Sequence, residues 1–150
     1  MFSISLVLSP VVQPMTALES VKSPLTTIAE QPLELDKTST SSVRAYIEAE
    51  AVKHEFDPEL ASAIARAESD YIHHAKNPIP SASGVYQFLD STFKNYCIEM
   101  YELTDTMKDK DDVKIQTECA LLIMTTDKKG INHWLASRHV WNKYAPPKGG

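Results

Sequence analysis

Glycine is scarce in this chain, four in 150 residues, and none sits in the spaced glycine run that cradles phosphates, so a nucleotide-binding loop is excluded. No apolar stretch is long enough to span a bilayer. Phe2 to Val12 comes nearest, but it is short and Pro10 breaks it. An excess of basic charge is missing as well. The net charge is −5, and Lys108 to Lys114 mixes signs, so a nucleic-acid footprint is not expected. The five histidines, His54, His73, His74, His133 and His139, show neither an i,i+4 ligand pair around a Glu nor a Cys/His knuckle, so no metal site is expected. No cofactor is expected either. Strand-like alternation is also lacking, although a short pairing in the loop before Gln87 stays open.

What is present suits a small, mainly α domain. The chain is 43% hydrophobic, enough for one core. Residues 1–41 combine the apolar start with a Pro/Ser/Thr-rich lead-in that has no sustained apolar period. The start looks like a signal-peptide core without the preceding Lys or Arg, since the first basic residue is Lys22. The folded domain is expected over 42–145, followed by a tail at 146–150. Ser41-Ser42 caps a helix through Val43, Tyr46, Ile47 and Ala51. Phe93, Tyr96, Cys97, Met100 and Tyr101 repeat at helical spacing after Asp90-Ser91-Thr92. Val113, Gln116, Ala120, Ile123 and Met124 do so before a stop at Gly130.

One helix carries an awkward residue. Asp57-Pro58-Glu59 is a start signal: an acceptor for orphan amides, a proline that tolerates the first helical position, and a negative charge for the positive end of the dipole. Leu60, Ile64, Ala67, Glu68 and Tyr71 then recur at steps of three and four, which puts Glu68 on the apolar stripe. Burial disfavours the ionised carboxylate, so its pKa should rise towards values at which it can donate a proton. The plainer alternative is a helix-surface Glu paired with Arg66 or Lys76.

The residues that follow carry a resemblance. Glu68-Ser69, Ala75, the run Ser81-Ala82-Ser83-Gly84, Gly84-Val85-Tyr86-Gln87-Phe88 and Ser91-Thr92 occur in order and nearly without gaps. Together they resemble the soluble lytic transglycosylase family, related to goose-type lysozyme, which carries Glu-Ser, a loop, a Gly-Leu-Met-Gln-Ile-like run and a Ser-Thr pair opening the next helix. One extra loop residue and Val-Tyr in place of Leu-Met are the departures. The resemblance implies a lysozyme-like helical fold with a substrate groove. It also implies cleavage of peptidoglycan between N-acetylmuramic acid and N-acetylglucosamine, with a 1,6-anhydro product and a single Glu as acid and then base. A glycosidase with two carboxylates would need a second Asp or Glu near the first. Between Tyr71 and Leu89 there is none. Asp70 points to another face of the helix, and Asp90 is either the second carboxylate or the cap of the next helix, the reading its position favours. Goose-type hydrolysis and an idle peptidoglycan-binding module are the alternatives.

By the same resemblance Ser69 orients Glu68 or contacts sugar, or it is simply a helix hydroxyl bonded to its own backbone. Gln87 should reach substrate amides or hydroxyls, since its side chain offers donors and an acceptor. Tyr86 and Tyr71 could line the groove against pyranose faces or be plain core. Asn77 either binds sugar or stabilises the loop. Asn132-His133-Trp134, Ser137 and Trp141 resemble the C-terminal helix of one branch of the family. Trp134 and Trp141 are seven residues apart on one face and read as core more readily than as a sugar platform. The Ala-Tyr-Asn motif of many members is missing, which leaves the groove-closing tyrosine unassigned. Cys97 and Cys119, on successive helices, form one disulfide in an oxidising envelope or remain two buried thiols. The implied partner is the peptidoglycan strand, with no stable membrane span and a place in a larger envelope or phage assembly. The implied location is secreted, periplasmic or in the cell envelope. The acidic balance gives no help in adhering to an anionic wall, so groove contacts would carry the affinity.

Overall fold

A computed structural model describes residues 34–145. The signal-like start, most of the lead-in and the 146–150 tail lie outside these residues. The described residues are mainly helical, with no sheet among them. The short pairing left open before Gln87 takes the form of isolated antiparallel bridges, Lys76 with Ser83 and Ser83 with Phe88.

Helix α1 spans Thr40–Lys53 and buries Val43, Ile47 and Ala51 at steps of four. Its cap is Ser39 rather than Ser41-Ser42. The Ser39 backbone is extended and its hydroxyl accepts from the Ser42 amide, while the Ser42 hydroxyl faces outward to the Asp36 amide. Helix α2 spans Pro58–Ser69 and starts as its signals foretell, with the Asp57 carboxylate accepting from Leu60 N at 3.0 Å. It ends earlier than the apolar period suggests. Asp70 and Tyr71 both adopt left-handed backbone, φ 52° and 65°, and Asp70 N closes the helix on Arg66 O. For Tyr71 that conformation costs on the order of 1–3 kcal/mol. Burial of its ring and a 2.9 Å hydrogen bond between its hydroxyl and that of Ser62 offset the cost.

Helix α3, Asp90–Thr92, runs directly into a π-helical stretch, Phe93–Met100, that turns Phe93 and Cys97 inward. Leu89, in extended backbone, occupies the cap position. Asp90 is therefore the first helical residue, not the cap, and its carboxylate pairs with the buried Lys110 at 2.6 Å. A 3-10 turn, Met107–Asp111, leads into α4, Val113–Thr126, where Asp112 accepts from Lys114 N and Ile115 N. The expected stripe Val113, Gln116, Ala120, Ile123 and Met124 is buried, and so are Thr117, Cys119 and Leu121. The helix is thus enclosed by α1, the π-helical stretch and the 3-10 turns on either side of it. It stops at Thr126, not at Gly130, because Asp127 is extended and its carboxylate takes the Lys129 amide. The chain finishes with a kinked 3-10 run, Gly130–Ser137, then α5, Arg138–Trp141, and a last turn, Asn142–Tyr144. The single C-terminal helix implied by the resemblance is therefore broken. Trp134 and Trp141 are nonetheless both buried.

Cys97 and Cys119 are joined in a disulfide between the π-helical stretch and α4. It closes 22 residues, worth about 3 kcal/mol on the chain-entropy estimate. Beside it, Gln116 is the most demanding group in the core. Wholly buried, it accepts from Tyr86 N at 2.8 Å and donates to Ser83 O and Lys110 O. Gly84 lies against this amide at φ 82°, where a Cβ would collide with it. Gly84→Ala is expected to cost about 3 kcal/mol in urea denaturation, from a strained backbone and displaced buried hydrogen bonds. A loss below about 1 kcal/mol would show that the amide does not hold this loop.

Candidate active site

Glu68 sits in the last turn of α2 and is half-buried. Its Oε1 accepts a hydrogen bond from the Ser137 hydroxyl, 69 residues away. That hydroxyl is itself held. It accepts from Trp141 Nε1 at 3.0 Å and also lies 3.1 Å from Trp134 O. Desolvation pushes the Glu68 carboxyl above its ordinary value, and the Ser137 hydrogen bond, which favours the anion, opposes the rise. The result is a carboxyl group inclined to keep its proton, beside a hydroxyl positioned to stabilise the anion once the proton leaves.

A cleft of about 250 Å³ opens on this carboxyl. Its polar lining is Asn77, Gln87, Thr92 and His133, and its apolar walls include Ile79, Phe88, Leu89 and Trp134. Among the described residues lining it, Glu68 is the only carboxylate. Gln87 adopts φ 52° and donates through Nε2 to Ala75 O and Gly84 O at 2.9 and 2.8 Å. Those two carbonyls settle which side-chain atom is nitrogen. Gln87 Oε1 is then left buried with no hydrogen-bond partner among the described residues. A buried acceptor without a donor is costly.

His133 is held from behind. Its Nε2 lies 2.9 Å from Asp127 Oδ1, and Tyr96 donates to Asp127 Oδ2 at 3.1 Å. These contacts, His133 first, bring the Asp127 carboxyl down to about 2.

The structure thus brings Glu68, Gln87 and Asn77 to one cleft. Asn77 is exposed and its Oδ1 accepts from Ile79 N, as a loop-stabilising Asn would. Ser69 takes the plainer of its two readings. It is buried, with its hydroxyl donating to Ala65 O and Val85 O, so it ties α2 to the loop. Tyr86 does not line the groove. It is wholly buried and its hydroxyl donates to Ala61 O, because a side chain beside Gly84 on this tight loop must point under it. Tyr71 is also buried and lines a different concavity, since the left-handed turn at 70–71 swings it off the α2 stripe.

Sequence reasoning assigned no role to Ser137 or His133. The only signal was their place in the Asn132-to-Trp141 segment, because a contact spanning 69 residues leaves no local periodicity.

The raised Glu68 pKa makes ionisation unfavourable to folding. Stability should fall as pH rises from the unfolded-state value of Glu through the folded one, and stay lower above it. Glu68→Gln is therefore expected to melt higher than wild type at neutral pH, with the gap closing below the ordinary carboxylate range. A variant that melts lower at neutral pH would contradict a desolvated carboxylate.

A family model for the transglycosylase SLT domain matches residues 45–143. No curated protein and no solved structure matches the chain. The matched span runs from α1 to the last turn and contains every residue of the cleft. A mainly helical domain with a Glu-bearing cleft, matched over that length, belongs to the transglycosylase SLT domain family, whose members act on peptidoglycan in the cell envelope.

Proposed function

We propose that the chain is a lytic transglycosylase that cuts the β-1,4 bond between N-acetylmuramic acid and N-acetylglucosamine and leaves a 1,6-anhydro end. The observation that carries this reading is the state of Glu68: a desolvated carboxyl, facing a cleft, with one hydroxyl partner in Ser137. In the first step protonated Glu68 gives its proton to the glycosidic oxygen, and the bond from that oxygen to the muramic C1 breaks. The resulting carboxylate accepts the Ser137 hydrogen bond. It then takes the proton of the muramic 6-hydroxyl as that oxygen bonds to C1, and Glu68 ends protonated as it began. One carboxyl serves both transfers, which suits a cleft whose described lining offers no other.

Around the reacting atoms, Gln87 lines the cleft with its Nε2 committed to Ala75 O and Gly84 O, and its Oε1 would accept from an acetamido N–H or a hydroxyl of the sugar once the side chain shifts to expose it. The exposed side chains of Ile79 and Leu89 offer apolar surface to pyranose faces. Asn77 is placed for a sugar hydroxyl at the cleft edge. In this reading Ser69 and Tyr86 are positioning residues, one tying α2 to the loop and the other supporting it from beneath. Action on peptidoglycan would put its work in the cell envelope, and no described helix is long and apolar enough to cross a membrane.

A second reading, goose-type hydrolysis, is favoured by His133. Its Asp127 contact leaves the imidazole oriented in the same cleft, where it could activate water without a second carboxylate lining the site.

Digestion of purified peptidoglycan followed by mass spectrometry separates the readings. Anhydro-muropeptides, lost in Glu68→Gln by about 100-fold or more, are expected. Reducing ends that disappear in His133→Ala would establish the hydrolytic route instead. No release by the wild-type chain would leave a binding module.

A further inference from the structure

A second concavity of the described structure is more basic than the cleft of Glu68. It lies on the other side of α2, is of similar size at about 240 Å³, and shares no lining residue with that cleft. Helix α2 presents Glu59, Ser62, Ala63 and Arg66 to it, at the spacing of one helical face. Helix α1 adds Arg44, and the last turn adds Lys143 and Tyr144. Three cations therefore converge on a space with one carboxylate, in a chain whose net charge is −5.

The cations are available. The Arg66 side chain is exposed and makes no hydrogen bond or ion pair among the described residues. Arg44 bonds Glu48 through Nε at 2.7 Å, which leaves its terminal nitrogens without a partner among the described residues. Lys143 Nζ sits 4.9 Å from the centre of the Tyr144 ring, a weak cation–π contact that a stronger partner would displace. The wall behind them is preformed, because the Tyr71 hydroxyl is fixed to Ser62 at 2.9 Å.

We propose that this concavity binds an oxyanion, a carboxylate or a phosphate, carried on a ligand whose apolar part packs against Tyr71 and Tyr144. Arg44 and Arg66 supply forked donors that match the two oxygens of either group, and Lys143 supplies a point charge. Exposed cations bind such groups weakly when scattered. Convergence of three in a concave site with aromatic walls lowers the screening and gives the ligand a defined pose. The inference is independent of the chemistry assigned to Glu68.

The test is a titration of the full chain, followed by amide NMR and calorimetry, with inorganic phosphate, with N-acetyl-alanyl-alanine, and with that dipeptide's C-terminal amide. Saturable binding of phosphate or the acid is expected, with shifts at Arg66, Tyr71 and Lys143, and the probe that binds identifies the source. The amide should not bind. The double variant Arg44→Gln, Arg66→Gln, at exposed positions and with an unchanged circular dichroism spectrum, should weaken binding by about tenfold or more. Non-saturating shifts, equal binding of acid and amide, equal binding by the double variant, or shifts confined to the Glu68 cleft would each overturn the assignment.

Discussion

The side-chain amide of Gln116 is the contact on which the site depends. It stands on the enclosed helix α4 and reaches three backbone groups of two different loops, Ser83 O, Tyr86 N and Lys110 O. A buried amide that lost those partners would leave unsatisfied groups costing about 1–3 kcal/mol each. The run 83–88 must therefore fold around it, and Gly84 is what allows the backbone that close. Once pinned, the run is tied on its other sides by Ser69 to Val85 O, Tyr86 to Ala61 O, and Trp134 Nε1 to Tyr86 O at 2.9 Å. Rigid backbone thus surrounds the end of α2, and Glu68 loses water on that side.

The carboxyl is held between opposed influences. Burial penalises its charge, while the Ser137 hydroxyl favours it. Under the proposed mechanism a group that gives up a proton and then recovers one needs both influences, since strong stabilisation of either form would slow one of the transfers. Ser137 can act this way because its oxygen accepts from Trp141 and its one proton, for which Trp134 O at 3.1 Å also competes, points at Glu68 in the shorter contact. The buried tryptophans, read from sequence as core, therefore also hold the hydroxyl that bonds the Glu68 carboxyl.

Features encoded within a few residues were legible in the sequence. Asp57-Pro58-Glu59 marked the start of α2, and the apolar repeat through Val113 and Met124 marked α4. Helix ends were less legible, because they turned on competition between neighbours. Ser39 rather than Ser41 supplies the α1 cap, and Asp90 is drawn to Lys110 instead of capping its helix. The left-handed pair Asp70 and Tyr71 cannot be inferred from helical periodicity, which puts Tyr71 on the stripe and Asp70 on another face of the same helix. Tyr86 shows the same limit at a side chain: an aromatic in a loop could face the groove or the core, and the packing of α2 beneath it decides. Ser137 and His133 reach the cleft through long-range folding alone, with no local pattern to announce them.

The central claim, that burial raises the Glu68 pKa against the opposing Ser137 hydrogen bond, is tested most directly by following the Glu68 side-chain carboxyl carbon by NMR across pH, assigned by comparison with Glu68→Gln. The midpoint is expected above the ordinary glutamate value of about 4.3, and should rise further in Ser137→Ala, where the hydrogen bond that favours the anion is gone. A midpoint at or below that ordinary value, unmoved by Ser137→Ala, would contradict the account.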